Sequence, residues 1–222
     1  MGIIVEGDTL QLSAGYTDVG TKDFHTVDFD WGDGSPVDST LQNPLAGGTG
    51  AAIGSHVYTT AGAYTAALTV TDDDTLINNA SVNVTVANSV DLDWKPGSNP
   101  SSMNFTGGII PVSILGAADF QVTEVDVASI RFDDQRDVLL NGQGVVGVQL
   151  KNNGTFQFSF EETNSDGYTD LVAHVNAKQL GSVVDPYQDP FLTDGQIYAF
   201  GAYDTGYFVG LQQVGDPINI LG

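Results

Sequence analysis

Short stretches of alternating apolar and polar residues recur through the first part of the chain. Such a period of two places successive side chains on opposite faces of a β-strand. The apolar members of these stretches are Leu10, Leu12, Ala14, Val27, Phe29, Trp31, Tyr64, Ala66, Leu68, Val70, Ala80, Val82, Val84 and Val86. Gly- and Asp-rich segments between them indicate turns. The pattern predicts an all-β domain over residues 1–87, built as a sandwich of two sheets.

A second apolar pattern begins at residue 90 and predicts a second β-sandwich domain over residues 90–222. Its predicted strands lie at residues 90–94, 109–116, 156–160 and 171–175. Ala87, Asn88 and Ser89 form the connection between the two predicted domains. Because three residues limit how far two domains can swing, we expect a semi-rigid rod.

Charge changes the picture of possible partners. The chain has 28 Asp and Glu against 6 Lys and Arg, a net charge of −22, and 24 of the acids are Asp. Such a surface repels nucleic acid phosphates and anionic membranes. The chain has no cysteine, which excludes disulfides and Cys-based metal sites. Hydrophobic residues make up 41% of the chain, enough for a packed core.

Two motifs in the first domain resemble those of a known family. Residues 29–34 read Phe-Asp-Trp-Gly-Asp-Gly, and residues 56–64 fit His-x-Tyr-x3-Gly-x-Tyr ahead of a Thr/Val-rich strand. Both resemble the signatures of PKD domains, the immunoglobulin-like modules named after polycystic kidney disease protein. Residues 5–12 fit the opening strand of that family, and the match covers about residues 3–87. The resemblance implies an extracellular spacer or interaction module.

The motif residues also have a structural interpretation. We expect Trp31 and Tyr64 to be core aromatic residues and His56 to be packed and hydrogen-bonded. Tight turns are expected at Gly32 and Gly34, both with positive φ. The Gly-rich stretch at residues 41–54 is expected to be a surface loop.

The second domain resembles a β-rich module found near the ends of large secreted prokaryotic proteins. The similar features span about residues 90–215: a Lys-Pro-Gly-Ser-x-Pro-x-Ser turn from Lys95, an Ile-Pro-Val strand from Ile110, and an acidic loop ahead of Asp170-Leu171-Val172. The resemblance implies surface display more than chemistry.

The acidic loop has the spacing of a calcium site. Counted from Glu162, oxygen-bearing side chains occupy positions 1, 3, 5 and 9, and a glycine that turns the backbone occupies position 6. The predicted Ca²⁺ ligands are the side chains of Glu162, Asn164, Asp166 and Asp170 and the backbone carbonyl of Tyr168. Position 12 is Ala173, so the glutamate of an EF-hand is missing, and the flanks are predicted to be strands. The loop resembles the calcium loops of integrin-type propellers and thrombospondin repeats.

Other interpretations of the acidic segments remain open. Glu161 could replace Glu162 after a small shift in register, and the loop could be a plain hairpin turn held by Asn164 and Gly167. Three further acidic segments, residues 72–74, 133–137 and 185–189, are interpreted as solvated loops rather than ion sites. The three histidines, His25, His56 and His174, share no ligand spacing.

No catalytic motif appears, since the sequence has no Gly-x-Ser-x-Gly, no His-Glu-x-x-His and no phosphate-binding Gly-x4-Gly-Lys motif. We expect a non-catalytic extracellular or cell-surface module, a piece of a longer prokaryotic protein, stabilised by calcium and acting in adhesion or structural assembly. Its partners would be another surface protein, further copies of itself, or a polysaccharide or fibrous matrix, without nucleic acid or membrane insertion.

The alternative is an accessory module that binds a polysaccharide or fibrous protein for a secreted hydrolase. That function needs an exposed aromatic platform. The candidates for it are Trp94, Tyr187, Tyr203 and Tyr207.

Overall fold

The structure, a computed structural model, describes residues 3–19, 22–42, 48–99, 101–134, 136–144, 146–183, 197–212 and 218–221. It divides into two compact units, residues 1–86 and 87–222. Both consist mainly of β-strands, so the predicted all-β sandwich class is confirmed. The strands are β1 (Ile3–Val5), β2 (Thr9–Thr17), β3 (His25–Asp30), β4 (Asp38–Gln42), β5 (Thr49–Val57), β6 (Gly62–Asp72), β7 (Ile77–Trp94), β8 (Ser101–Asn104), β9 (Ile109–Ile114), β10 (Arg131–Asp133), β11 (Val146–Gly147), β12 (Phe158–Glu161), β13 (Asp170–Asn176), β14 (Tyr198–Tyr203), β15 (Gly206–Gln212) and β16 (Ile218–Leu221).

The first unit is a sandwich of two sheets. One sheet has the order β4-β3-β6-β7, with β1 also paired to β7, and the other consists of β2 and β5. The two strands of the second sheet are in register from Thr9↔Val57 to Thr17↔Thr49. Both sheets contribute to one core, whose buried members are Leu10, Val27, Phe29, Trp31, Ala52, Tyr58, Ala66, Val84 and Val86. The alternation that predicted the strands therefore marks the side chains that fill this core.

The prediction of a surface loop at residues 41–54 is wrong for most of that segment. Residues 41 and 42 belong to β4, residues 49–54 belong to β5, and residues 43–47 lie outside the described residues. Gly54 has a packing role, because a Cβ at this position would come within 2.8 Å of the Phe29 ring. A stretch rich in small residues is here a strand that lets a large core ring approach the backbone.

The second unit is built on one mixed sheet, in the order β11-β10-β14-β15-β7-β9-β13-β12. β15 runs parallel to β7, and the other pairs in this order are antiparallel. A further bridge, Val148↔Val175, connects the residue after β11 to β13, so the sheet curves round a single core. The largest fully buried side chains of this core are Leu92, Trp94, Met103, Ile114, Phe120, Ile130, Phe132, Leu171 and Phe208. β8 and β16 form a separate parallel pair.

The prediction of a separate three-residue connection at residues 87–89 is wrong, because no strand ends there. These residues lie inside β7, where residues 88–92 pair with residues 208–212 of β15. Buried apolar side chains on both sides of the predicted connection, at Val86 and Val90, continue the strand.

Helices are short in the described part of the chain. They are α1 (Arg136–Leu140) and α2 (Ala177–Val183), with single 3-10 turns at Val122–Glu124 and Val127–Ser129. The sequence pattern did not predict α2, which buries Ala177 and Leu180, three positions apart. Neither α-helix has the length and apolar character needed to cross a membrane.

Candidate functional site

The predicted calcium loop connects β12 to β13. These strands pair antiparallel from Phe158↔Ala173 to Glu161↔Asp170, so residues 162–169 are the connection of a β-hairpin, as predicted. The loop backbone adopts left-handed conformations at Ser165 (φ 65°) and Gly167 (φ 92°). This conformation is costly for residues with a side chain, so Ser165 requires contacts that hold it.

The Glu162 carboxylate supplies those contacts. Its Oε1 accepts hydrogen bonds from the backbone N–H groups of Ser165 (2.8 Å) and Asp166 (3.3 Å), and its Oε2 accepts one from Gly167 (2.8 Å). Glu161, the alternative first ligand, instead accepts a hydrogen bond from the Ser159 hydroxyl at 2.5 Å. Glu162 is therefore the acidic residue that organises the loop.

Asn164, Asp166 and Tyr168 form a second network on the exposed side of the loop. Asn164 Nδ2 donates to Asp166 Oδ2 at 2.8 Å, and Asn164 Oδ1 accepts from the Asp166 N–H at 3.2 Å. Asp166 Oδ1 accepts from the Tyr168 N–H at 2.8 Å. Three of the predicted ligands are thus joined by direct hydrogen bonds.

Asp170 differs from the other predicted ligands because it is fully buried (0% exposed). Its Oδ1 accepts a hydrogen bond from the Gly116 N–H (3.0 Å), and its Oδ2 accepts two from Thr163, from the N–H at 2.7 Å and the hydroxyl at 2.6 Å. A carboxylate has about four lone-pair positions, so most of its accepting capacity is used. Asp170 fastens the end of the loop to the segment at Gly116.

The five predicted ligands are close in sequence, but their carboxylates do not form one tight group. Across the residues that the structure describes, sets of three or more Asp, Glu or His ligand atoms within 4.8 Å of one another occur only in the first unit. In this geometry the loop oxygens bind the loop's own backbone N–H groups. Glu162, Asn164 and Asp166 keep free lone pairs on the exposed side, which hard oxygen-seeking cations could share.

In the first unit, aromatic rings pack against each other beneath the motif turn. Trp31 is buried and stacks on Phe29 (centroids 5.3 Å apart) and on His56 (5.0 Å). The Trp31 Nε1–H donates to Asp38 Oδ2 at 2.7 Å, and the Tyr58 hydroxyl donates to the Trp31 carbonyl at 2.9 Å. The expected core position of Trp31 and the packed position of His56 are confirmed.

The motif turn itself is held by Asp33. Its Oδ1 accepts the Ser35 N–H at 3.0 Å, and its Oδ2 accepts His56 Nε2–H at 2.7 Å. Ser35 and His56 stabilise the ionised carboxylate and lower the pKa of Asp33 to about 2. Gly32 and Gly34, at φ 75° and 85°, have the positive φ that the motif predicted.

Of the four residues expected to form an exposed aromatic platform, Tyr207 is the one that is exposed among those the structure describes. Trp94 is wrong as a candidate, because it lies on the inward face of β7 and is 0% exposed. Tyr203 is half-buried, and Tyr187 lies outside the described residues. Tyr207 is 37% exposed and its ring stacks on Phe200, with centroids 5.5 Å apart.

The first unit matches the model of a known family. Residues 2–86 match the family model of the PKD domain. The resemblance seen in the motifs is therefore confirmed for this part of the chain, and residues 2–86 are referred to below as the PKD domain. The resemblance of residues 90–215 to a secreted prokaryotic module stays a prediction. A comparison with curated proteins finds no match for the chain.

Similar solved structures include fibronectin(III)-like modules of Clostridium thermocellum CbhA, at 12% identity and a TM-score of 0.30, covering 99% of this chain and 90% of that one. Murine CEACAM1b is similar at 12% identity and a TM-score of 0.27, covering 99% and 96%. A Bacteroides ovatus mixed-linkage glucan utilization protein, SGBP-B, in complex with a mixed-linkage heptasaccharide, has 11% identity and a TM-score of 0.27, covering 96% and 42%.

The PKD domain also contains a group of side chains that sequence reasoning passed over. Ligand atoms of Asp18, His25 and Asp72 lie within 4.8 Å of one another, and so do those of Asp23, Asp72 and Asp73. The sequence predicts a solvated loop at residues 72–74, and His25 shares no ligand spacing with the other histidines. Only the pairing register, in which His25 is the partner of Asp72, brings these distant positions together.

Proposed function

We propose that this chain is a non-catalytic extracellular module of a cell-surface or secreted prokaryotic protein, acting in adhesion or structural assembly. The match of residues 2–86 to the PKD domain carries the proposal. PKD domains occur in extracellular proteins and are generally non-catalytic. The family match of residues 2–86 supports the proposed localisation and role.

The use of the PKD signature residues supports a non-catalytic role for that domain. The Asp33 carboxylate is engaged by Ser35 and His56, and the Tyr58 hydroxyl donates to a backbone carbonyl. A general base or nucleophile has to reach a reacting group, whereas these groups are engaged in hydrogen bonds within the domain. The signature therefore stabilises the domain.

The charge of the chain sets a condition on assembly. At −22, copies of the chain repel one another. Association with another acidic surface protein, or with further copies, would be favoured by cations that neutralise part of this charge. Calcium is the proposed cation, because oxygen ligands of the kind found in the loop suit a hard divalent ion.

The proposed calcium ligands remain Glu162, Asn164, Asp166, Tyr168 and Asp170. When bound, the ion would supply charge neutralisation and cross-linking of loop oxygens. The hydrogen bonds that the Glu162 and Asp166 carboxylates accept from backbone N–H groups support this assignment, because they shape the loop before any ion binds. Asp170 fits this set least, since it is buried and accepts three hydrogen bonds.

Two measurements test the proposal. Antibodies against the chain should label intact cells of the source organism or its culture medium, and protease treatment of intact cells should remove the label. Detection only inside lysed, washed cells would contradict an extracellular module. Sedimentation of the purified chain should show larger species at millimolar calcium, reversed by chelator. A monomer under all these conditions would contradict self-assembly.

The exposed Tyr207 ring favours polysaccharide binding as a second candidate function. Stacked aromatic rings with one exposed face offer an apolar surface to a sugar ring. Retention of the chain on insoluble polysaccharide should fall when Tyr207→Ala is introduced. Tyr168→Ala removes another exposed tyrosine of the second unit and is the matched control. Equal retention of both variants and the natural chain, or no retention at all, would exclude this site.

A further inference from the structure

Three ligand-bearing residues converge where strands of the PKD domain begin or end. Asp18 directly follows β2, His25 begins β3, and Asp72 ends β6. His25 and Asp72 are antiparallel partners, which brings their Cβ atoms to about 5 Å. One ligand atom from each of the three residues lies within 4.8 Å of the other two.

Polar atoms in this group are buried without hydrogen-bond partners. The orphan atoms are the Tyr16 hydroxyl oxygen, Asp18 Oδ2, His25 Nδ1 and Asp72 Oδ1. His25 is 4% exposed, and its Nε2 lies 3.5 Å from Asp18 Oδ2, beyond hydrogen-bond distance. A buried polar atom without a partner costs about 1–3 kcal/mol, and such atoms are few in native proteins. Several at one point indicate that the site holds a ligand.

The charge around the group decides which kind of ligand fits. Two carboxylates face one imidazole, and Asp23 and Asp73 form a second acidic group that shares Asp72. Carboxylate oxygens that lie within 4.8 Å of one another repel each other when they are ionised. A water molecule could satisfy the orphan atoms, but it would leave this repulsion uncompensated. A cation would satisfy the orphan atoms and would also compensate the repulsion between the carboxylates.

The group also has an entrance. A solvent-open cavity of about 360 Å³ is lined by Tyr16, Asp18, His25 and Asp72, with Leu68 and Val70 among its apolar residues. The Tyr16 and His25 rings are 5.0 Å apart, centroid to centroid. An ion can reach the ligand atoms from solvent, and the cavity leaves room for water to complete its coordination.

We propose that Asp18, His25 and Asp72 bind a divalent transition-metal ion, with Zn²⁺ as its representative. An imidazole nitrogen with two carboxylate oxygens is a ligand set suited to zinc, whereas calcium takes oxygen ligands only. Three protein ligands leave a fourth position for water. The site is separate from the loop at residues 162–170 and goes beyond the proposed function.

Calorimetric titration of the chelator-treated full chain with Zn²⁺ in millimolar calcium tests the site. We expect one zinc ion per chain at this site, and at least about tenfold weaker binding in His25→Gln and in Asp72→Asn. His174→Gln is the matched control, because His174 lies on β13 in the second unit. This control should bind zinc as the natural chain does.

Because His25 is buried, His25→Gln could fail to fold, and a measurement on the natural chain covers that case. In imidazole ¹H–¹⁵N spectra, zinc should shift the His25 signals and leave those of His56 and His174 in place. The proposal is overturned if zinc does not bind, if the folded Asp72→Asn variant binds as tightly as the natural chain, or if zinc shifts another histidine instead. Displacement of zinc by equimolar calcium would overturn the assignment to a transition metal.

Discussion

The turn of the PKD signature offers a stability test in which two neighbouring glycines serve as test and control. Gly32 and Gly34 both have left-handed φ angles, 75° and 85°. A Cβ at Gly32 would lie 2.4 Å from the Thr65 carbonyl oxygen and about 3 Å from two further backbone atoms of Thr65. A Cβ at Gly34 would meet no atom within 4 Å. Alanine at either position therefore suffers the same backbone strain, and alanine at Gly32 suffers a collision as well.

The expected magnitudes follow from these two terms. A left-handed residue with a Cβ costs about 1–2 kcal/mol, and the lower entropy of the unfolded alanine variant returns about 0.5 kcal/mol. Gly34→Ala should therefore destabilise the PKD domain by about 1 kcal/mol. The atoms facing Gly32 are backbone atoms of β6, which no side-chain rotation can move, and forced backbone shifts cost about 1–3 kcal/mol. Gly32→Ala should reach about 3 kcal/mol.

Urea unfolding followed by NMR reports the unfolding of each of the two units separately. The indole N–H signal of Trp31 reports the PKD domain, and that of Trp94 reports the second unit. The Trp31 transition should shift to lower urea in both variants, with the larger shift in Gly32→Ala. Equal shifts for the two variants, to within about 0.5 kcal/mol, would refute the assignment of the collision with Thr65.

Three further predictions concern the carboxylates. In calorimetry, calcium at about one hundred times its dissociation constant should stabilise the second unit by about 2.7 kcal/mol relative to chelator. Asp166→Asn should abolish this stabilisation. Absence of the stabilisation in the natural chain would contradict the proposed calcium site. In chelator, Asp170→Asn should lower the free energy of unfolding of the second unit by about 2 kcal/mol, because the amide N–H₂ would face the N–H donors of Gly116 or Thr163. Asp166→Asn, at an exposed position, is the control. An equal effect of the two variants would contradict the anchoring role of Asp170. The folded pKa of Asp33, about 2, lies below its ordinary value of 3.8, so its stabilisation is present above about pH 4 and is lost as the pH falls towards 2; urea unfolding should show this loss in the natural chain, and an equally steep loss in Asp33→Asn would contradict it.

The strands of the first unit could be predicted because alternation and burial coincide there. Val27 and Phe29 alternate with polar residues in the sequence, and both lie in the core. The same reasoning failed at residues 49–54, where Ala and Gly carry no apolar signal. That segment is a strand because β2 lies beside it and the Phe29 ring covers Gly54. Pairing partners distant in sequence decided the structure of this segment.

The loop at residues 162–170 was visible in the sequence because its residues are contiguous. Their spacing predicts a turn and a set of oxygens, and the structure adds what each oxygen binds. Burial of Asp170 could not be predicted, because its partner Gly116 is 54 positions away. The group of Asp18, His25 and Asp72 was invisible for the same reason, since it depends on the register of β3 against β6.

The preference for aspartate over glutamate has a local explanation that covers only part of the acidity. Asp30, Asp33 and Asp126 each accept a hydrogen bond at 3.0 Å from the backbone N–H two residues further on, a contact suited to their short side chains. Asn104 and Asn153 make the same contact with neutral amides, at 2.8 and 3.1 Å. The turn therefore requires the short side chain and an acceptor oxygen, but it does not require the charge. Because asparagine also serves in these turns, the excess of aspartate needs a cause outside the turns. Cations around or bound to the protein are such a cause, and the two proposed metal sites would bind them.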